Sequence, residues 1–383
     1  MLSVMVAVMQ KQQAGQVRAR LAAWWEANAR DLPWRFGRAT PWGVLVSEVM
    51  SQQTQMSRVV PYWTDWMKRW PDAAALADAS TAEVITAWGR LGYPRRALRL
   101  QECAHVVAHD LGDELPRTYD ELVALPGVGD YTASAVMSFA FGERIAVVDT
   151  NIRRVLSRVF LGVESRGGSA SAAERALACD VLPEDDVPEN GVPDSGILSD
   201  DVVPENVVPE NVVADSGESG NDVPDNAVPD DVPENAASDS SMSKSATSRY
   251  ATPRAEADAR HVSREPRSTV WNQSVMELGA LVCTAKTPLC DACPVRAHCR
   301  FLAAGRPGLG ERRTRPRQRF AGTDRQVRGL ILDSLRKAPA GAAMPRDRIA
   351  ALWSDHIQLD KCVASLDDDG LIELQPDGSV RLP

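Results

Sequence analysis

At 383 residues, with 44% hydrophobic and 25% charged positions, the chain is long enough for two or three globular domains. No apolar run reaches the roughly 18–20 residues of a membrane-spanning helix, so an α-helical membrane protein is not expected. The formal net charge of −9 argues against a nucleic-acid partner only until its distribution is read. Residues 183–264 hold 19 acidic and 5 basic side chains, which leaves the remainder at +5, as a DNA-binding body requires.

The first ten residues, MLSVMVAVMQ, are apolar but short, with neither a basic lead nor a clear cleavage site. Residues 1–15 therefore read as a flexible leader rather than a signal peptide, and a cytoplasmic, nucleoid-associated protein is expected. From residue 16 to 160 apolar positions recur at three and four, over 17–28, 42–60, 73–90, 95–110 and 118–141. Pro41, Pro61, Pro71, Pro94 and Pro116 punctuate them, where helices begin. The pattern predicts an all-α region of short helices.

Three stretches within it carry chemistry. In SEVMSQQTQM, Glu48 lies among Val44, Leu45, Val49 and Met50 on an apolar helical face. A buried glutamate is costly unless paired, and burial raises its pKa, as suits a general acid. A solvent-facing glutamate is the plainer alternative. In LPGVGDYTASAV, Gly127 and Gly129 permit a tight turn between two helices, within a helix–hairpin–helix unit spanning 122–136. Backbone amides at the start of the second helix then suit a phosphate, as in DNA-repair proteins with this motif. In VVDTNIRRV, Asp149 stands at a helix start, with Asn151 beside it. An N-cap and a fixed catalytic carboxylate are compatible readings of Asp149. Arg153 and Arg154, on the same helix, are placed to meet phosphates.

Residues 183–264, with repeats such as VPEN and a Ser-rich run, bury too little apolar surface to fold, and read as a disordered acidic insert. It is either a tolerated loop insertion or an acidic arm that binds a partner or mimics DNA. A second helical stretch, 268–304, holds Cys283, Cys290, Cys293 and Cys299 within seventeen residues. Only one CxxC pair occurs, where structural zinc usually takes two. Four thiolates in one loop suit a [4Fe–4S] cluster better, with zinc the alternative. Residues 305–323 form a basic linker, and 324–383 a small module. There Val327, Leu330, Ile331 and Leu335 suit one helix, and Ile349, Leu352 and Trp353 another. LIELQPDGSVRLP reads as a hairpin, which makes the module winged-helix-like.

These features, in this order, resemble the endonuclease III superfamily of DNA glycosylases and, within it, the adenine DNA glycosylase (MutY) family. The strings that carry the resemblance are LPWR (32–35), SEVMSQQTQ (47–55), LGY (91–93), LPGVGDYTA and NQSVMELGALVCT (272–284), together with the cysteine spacing. It covers about 16–182 and 268–304 and implies, over 16–182 and 265–304, a helix–hairpin–helix glycosylase fold of two helical subdomains with an iron–sulfur loop at 283–299. It also implies one [4Fe–4S] cluster on the four cysteines and a monomer acting on double-stranded DNA with adenine mispairs, away from membranes.

By resemblance Glu48 matches the acid that protonates adenine N7. Asp149 matches the carboxylate that stabilises the cationic sugar, and Asn151 its support. Gln53 and Tyr93 match residues that wedge into the DNA stack. Tyr131 stands where lyases of the superfamily carry a nucleophilic lysine, so a monofunctional enzyme is expected. Three departures stand out. Thr150 replaces the usual glycine between Asp and Asn, Pro94 replaces a second tyrosine, and the last 60 residues are too few for the Nudix-like domain that reads 8-oxoguanine in better-known members. The alternatives are a bifunctional lyase for oxidised pyrimidines and a non-catalytic mismatch-binding protein.

Overall fold

A computed structural model describes residues 2–165, 167–185, 265–311 and 320–383. Most of the acidic insert (186–264) and the middle of the basic linker (312–319) lie outside the described residues. The chain is helical, as the periodicity predicts, but several expected segments are divided. The stretch 42–60 becomes α2 (Pro41–Ser51) and α3 (Met56–Arg69), and 73–90 becomes α4 (Ala73–Ala77) and α5 (Thr81–Trp88). The break before α5 falls where Ser80 and Glu83 form a capping box, whereas α3 starts at Gln55 without a side-chain cap; Asp72, which accepts from Ala75 N, sets the start of α4. Pro41 occupies the first turn of α2, but Pro61 lies inside α3, away from the helix start expected for it.

With α6 (Arg95–Asp110), α7 (Tyr119–Ala124) and α8 (Asp130–Phe139), these helices enclose one core. Trp66 packs edge-on against Trp70 and Trp88, at centroid separations of 4.6 and 5.7 Å. A second core is built from α1 (Leu2–Asn28), α9 (Thr150–Leu156), α10 (Ala172–Asp180) and α11 (Arg267–Leu281). Two helical subdomains result, as expected. The expected flexible leader is not observed, because helix α1 begins at Leu2. Its residues, mainly Met, Val, Ala and Gln, contain no proline, so nothing interrupts a helix that continues onto the buried Ala14, Val17 and Leu21. After α9 the chain widens into a π-turn (Ser157–Leu161) that ends at Gly162, and a four-residue helix α12 (Arg300–Ala303) follows the cysteine loop.

The terminal module comprises α13 (Asp324–Arg336), α14 (Arg346–Ala350), α15 (His356–Asp368) and a two-stranded hairpin, with Glu373 opposite Arg381. Gly378, at φ 80°, closes the expected Pro-Asp-Gly turn. The pattern missed α15, and Leu330 is exposed while Leu332 is buried in its place. Ile85 of α5, fully buried, belongs to the module's core rather than to its own subdomain's. Burying such a side chain contributes about 1.5–3 kcal/mol, against at most ~1 kcal/mol for an exposed ion pair, so apolar contact docks the module and charges orient it. Among the described residues, no helix is long and apolar enough to cross a membrane.

Candidate active site and cysteine loop

Glu48 sits midway along α2, whose start is set by Thr40 accepting from Gly43 N and by Pro41 in the first turn. The apolar face that continues around it buries Glu48, a residue 8% exposed. Its hydrogen-bond partner is Tyr131, in the first turn of α8, whose hydroxyl donates to Oε2 at 2.7 Å. Tyr131 arrives there through the hairpin between α7 and α8. Gly127 takes φ 76°, and a Cβ there would stand 3.0 Å from the Arg99 Cβ, so this turn requires glycine. Gly129 caps α8 in an extended conformation, with nothing within 4 Å of where a Cβ would stand. Gly129 therefore leaves the space beside the start of α8 uncovered.

Asp149 caps α9 from the other subdomain. Its Oδ1 accepts from Ile152 N at 2.5 Å and its Oδ2 from Asn151 Nδ2 at 2.8 Å. Asn151 is fixed in turn by Arg154, which donates to Asn151 Oδ1 at 2.8 Å, to the Gly279 carbonyl at 2.6 Å and to the Cys283 carbonyl at 2.7 Å. The expectation that Arg153 and Arg154 meet phosphates is therefore corrected. Both are buried, and Arg153 pairs with Glu174 at 2.8 Å. Gly279 of α11 makes the crossing possible, since a Cβ there would lie 2.7 Å from the Asn151 Cβ and 3.0 Å from its carbonyl oxygen.

Electrostatics separate the two carboxylates. Burial pushes Glu48 up to about 7; the Tyr131 hydrogen bond and Arg35 pull it down, and the charge of Asp149 adds to the rise. Asp149 is also raised by burial, but the amide of Ile152 and both donors of Asn151 oppose this. Charge-stabilising donors are more numerous at Asp149, which favours an ionised Asp149 beside a protonated Glu48. Burial also holds the Tyr131 phenol well above its ordinary value, so it remains a neutral donor.

Gln53 and Tyr93 are exposed, on the loops after α2 and before α6. Both take left-handed backbone, φ 53° and 47°, which is costly for such residues. Arg96 joins the two loops, donating to the carbonyls of Val49 (2.8 Å), Gln52 (2.6 Å) and Gly92 (3.1 Å). Sequence reasoning overlooked Arg96. It also overlooked Glu277, a lone acid on an apolar helix, which accepts from Arg30 at 2.7 Å and Arg35 at 2.9 Å. This ion pair ties the LPWR stretch to α11.

Cys283, Cys290, Cys293 and Cys299 are all half-buried, and the other three lie close enough to Cys293 to bear on its ionisation. Burial pushes Cys293 up to about 12 and raises Cys299, so binding a metal centre must displace protons. Arg158, on the π-turn, donates to Cys283 Sγ at 3.3 Å and to the Thr284 and Ala285 carbonyls at 2.8 and 3.0 Å. A guanidinium against sulfur suits an anionic, thiolate-bound group. Among the described residues no three His, Cys, Asp or Glu side chains converge on a single ion.

Comparison with known proteins follows the same lines. Residues 46–178 match the HhH-GPD superfamily of base excision DNA repair proteins, and residues 283–299 match the iron–sulfur binding domain of endonuclease III. The adenine DNA glycosylase of Mycolicibacterium smegmatis is 37% identical over 364 residues, covering 94% of each chain. That of Mycobacterium tuberculosis is 36% identical, covering 95% of this chain and 92% of its own. Among solved structures, a thermostable thymine-DNA glycosylase superposes with a TM-score of 0.50 at 20% identity, over 76% of this chain and 98% of its own, a likeness of fold.

Proposed function

This chain belongs to the adenine DNA glycosylase family, and from that premise we propose that it removes adenine opposite 8-oxoguanine or guanine from duplex DNA, by hydrolysis and without cutting the strand. The observation that carries the reading is the pairing of Glu48, raised to about 7 by burial, with Asp149, held by amide donors on a helix cap. A base in a duplex must first be flipped out before it can be attacked. Gln53 and Tyr93 enter the stack, while the hairpin of Gly127 and Gly129 grips the backbone. Glu48 then gives its proton to adenine N7, which turns the base into a neutral leaving group. Asp149, kept ionised and oriented by Asn151, stabilises the positive charge that develops on the sugar. Tyr131 holds Glu48 in place and offers no amine to form a Schiff base, so the product is an abasic site.

Cys283, Cys290, Cys293 and Cys299 would hold one [4Fe–4S] cluster, with Arg158 beside it. When bound, such a cluster ties the loop 283–299 together without entering the chemistry at Glu48. The enzyme acts as a monomer, and its mass in light scattering, alone and on a duplex, checks that.

The test is single-turnover base release from duplexes with adenine opposite 8-oxoguanine, guanine, cytosine or thymine, each with and without alkali. Alkali-dependent cleavage of the adenine strand, fastest opposite 8-oxoguanine, is the expected result. Cleavage without alkali would instead favour a lyase. Tight mispair binding with no release over hours would favour a non-catalytic protein.

A further inference from the structure

The terminal module touches the stretch from Arg90 to Arg95, the loop after α5 and the first residue of α6, at three places, and this stretch carries Tyr93. Arg90 donates to both carboxylate oxygens of Asp333 on α13, at 3.1 Å each. Arg95 pairs with Asp369, just past α15, at 3.3 Å. Between them, the Arg325 guanidinium, in the first turn of α13, stands 5.7 Å from the centre of the Tyr93 ring. The module is itself fixed to the base of the same loop. Ile85 of α5 is buried in the module's core, and Arg336 donates to the Ile85 carbonyl at 3.1 Å. Asp333 and Asp369 are each about three-quarters buried, whereas Arg90 and Arg95 are exposed. The acids are therefore the fixed anchors, and the loop's arginines reach out to them.

A small winged-helix-like module invites the reading that it binds DNA through its third helix. Helix α15 and its C-cap carry Asp360, Asp367, Asp368 and Asp369 against a single lysine, Lys361. That surface repels phosphate. On the face toward Tyr93, Asp333 is shared between Lys337 of the module and Arg90, and Asp369 between Arg328 of the module and Arg95.

We propose that the terminal module serves as a holder for the Tyr93 loop, with Asp333, Asp369 and Arg325 as positioning residues that keep Tyr93 in its left-handed, strand-inserting conformation. The idea rests on the DNA-wedge role proposed above for Tyr93. The strained φ of 47° supplies the physical need. A tyrosine in that region is not there by preference, so contacts elsewhere must hold it. Arg96 does so from within the glycosylase body, at 5.5 Å from the same ring, and Arg325 does so from the module.

Two experiments on the full-length protein test this. In the first, hydrogen exchange is measured at residues 89–96 without DNA, for the native protein and for Asp333→Ala/Asp369→Ala. The holder predicts exchange about tenfold faster in that segment, with residues 122–136 unchanged. Equal exchange in a variant that melts like the native protein would overturn it. In the second, exposed Arg325 is changed to Ala and to Lys, and binding is measured to a duplex carrying 2′-fluoro-adenosine opposite guanine, with 2-aminopurine beside the mispair. Arg325→Ala is expected to weaken binding about three- to tenfold and to lower the 2-aminopurine signal at saturation, with Arg325→Lys restoring much of both. The salt dependence of binding is expected to stay the same. A fall of about one in the salt slope would make Arg325 a plain phosphate contact and would also overturn the proposal. If the native protein gives no 2-aminopurine change at all, the wedge reading of Tyr93 fails, whereas the exchange experiment still reads the holder.

Discussion

Two buried glutamates in this molecule behave in opposite ways. Glu277 is fully buried and is held down at about 2 by Arg35 and Arg30, against the upward push of its own burial. Glu48 is 8% exposed and is pushed up to about 7, with one tyrosine hydroxyl as its hydrogen-bond partner. Arg35 acts on both, by direct contact with Glu277 and at longer range on Glu48. Burial alone therefore does not mark a functional acid. Where the charge is compensated the glutamate joins two parts of the fold, and where it is not, the glutamate keeps its proton up to near neutral pH.

The contrast is broken most severely at Glu48. Glu48→Gln is expected to lower single-turnover adenine release by at least about 10³-fold, while mispair binding in gel-shift titrations stays within about twofold of native. The same substitution should stabilise the protein. Because the native pKa is raised from 4.5 to about 7, the native state holds its proton more tightly than the unfolded chain. The resulting cost is absent below pH 4.5 and grows as pH rises toward 7. Glu48→Gln should therefore gain roughly 3 kcal/mol in urea unfolding at pH 8 and almost nothing at pH 4. A loss of stability at pH 8 would assign Glu48 a structural role.

Glu277→Ala should do the reverse. It strands Arg30 and Arg35 and is expected to cost about 3–5 kcal/mol of stability at pH 7, measured by denaturant unfolding. The stabilisation from Glu277 is present above pH 4.5 and is lost as pH falls through about 2. Any loss of base release should then follow unfolding and recover at low temperature, unlike that of Glu48→Gln.

Gly279→Ala separates geometry from charge. Its Cβ would collide with Asn151, which orients Asp149. We expect about 10- to 100-fold slower base release with a stability loss of only ~1–3 kcal/mol. Slower release without any change in the Glu48 pKa would place the effect at Asp149.

The acid, the hairpin and the cysteine loop were legible because each is a local pattern. Glu48 interrupts an apolar helical face, two glycines mark a turn, and four cysteines share seventeen residues. Asp149 was legible as a cap, and the structure adds that the cap bond is one of the forces opposing its protonation. The missed residues act across sequence distance. Arg154 looked like a phosphate ligand until α11 was seen to pass beside α9 at Gly279, which no periodicity reveals. Arg96 serves carbonyls on two loops, and Glu277 meets partners some 240 residues away. The leader misled because a short apolar start without a partner in view reads as loose, although its composition suits a helix. Helix α15 was overlooked although Leu359, Cys362, Val363 and Leu366, spaced by three and four, carry the helical pattern.

The central claim is that Glu48 supplies the proton that releases adenine, and the pH dependence of single-turnover base release tests it most directly. The account predicts a rate constant that falls tenfold per pH unit above about 7, as Glu48 ionises. It also predicts that the limb moves to higher pH in Tyr131→Phe, which removes a hydrogen bond favouring the ionised form. A rate constant that stays flat from pH 6 to 9 in both proteins would contradict it.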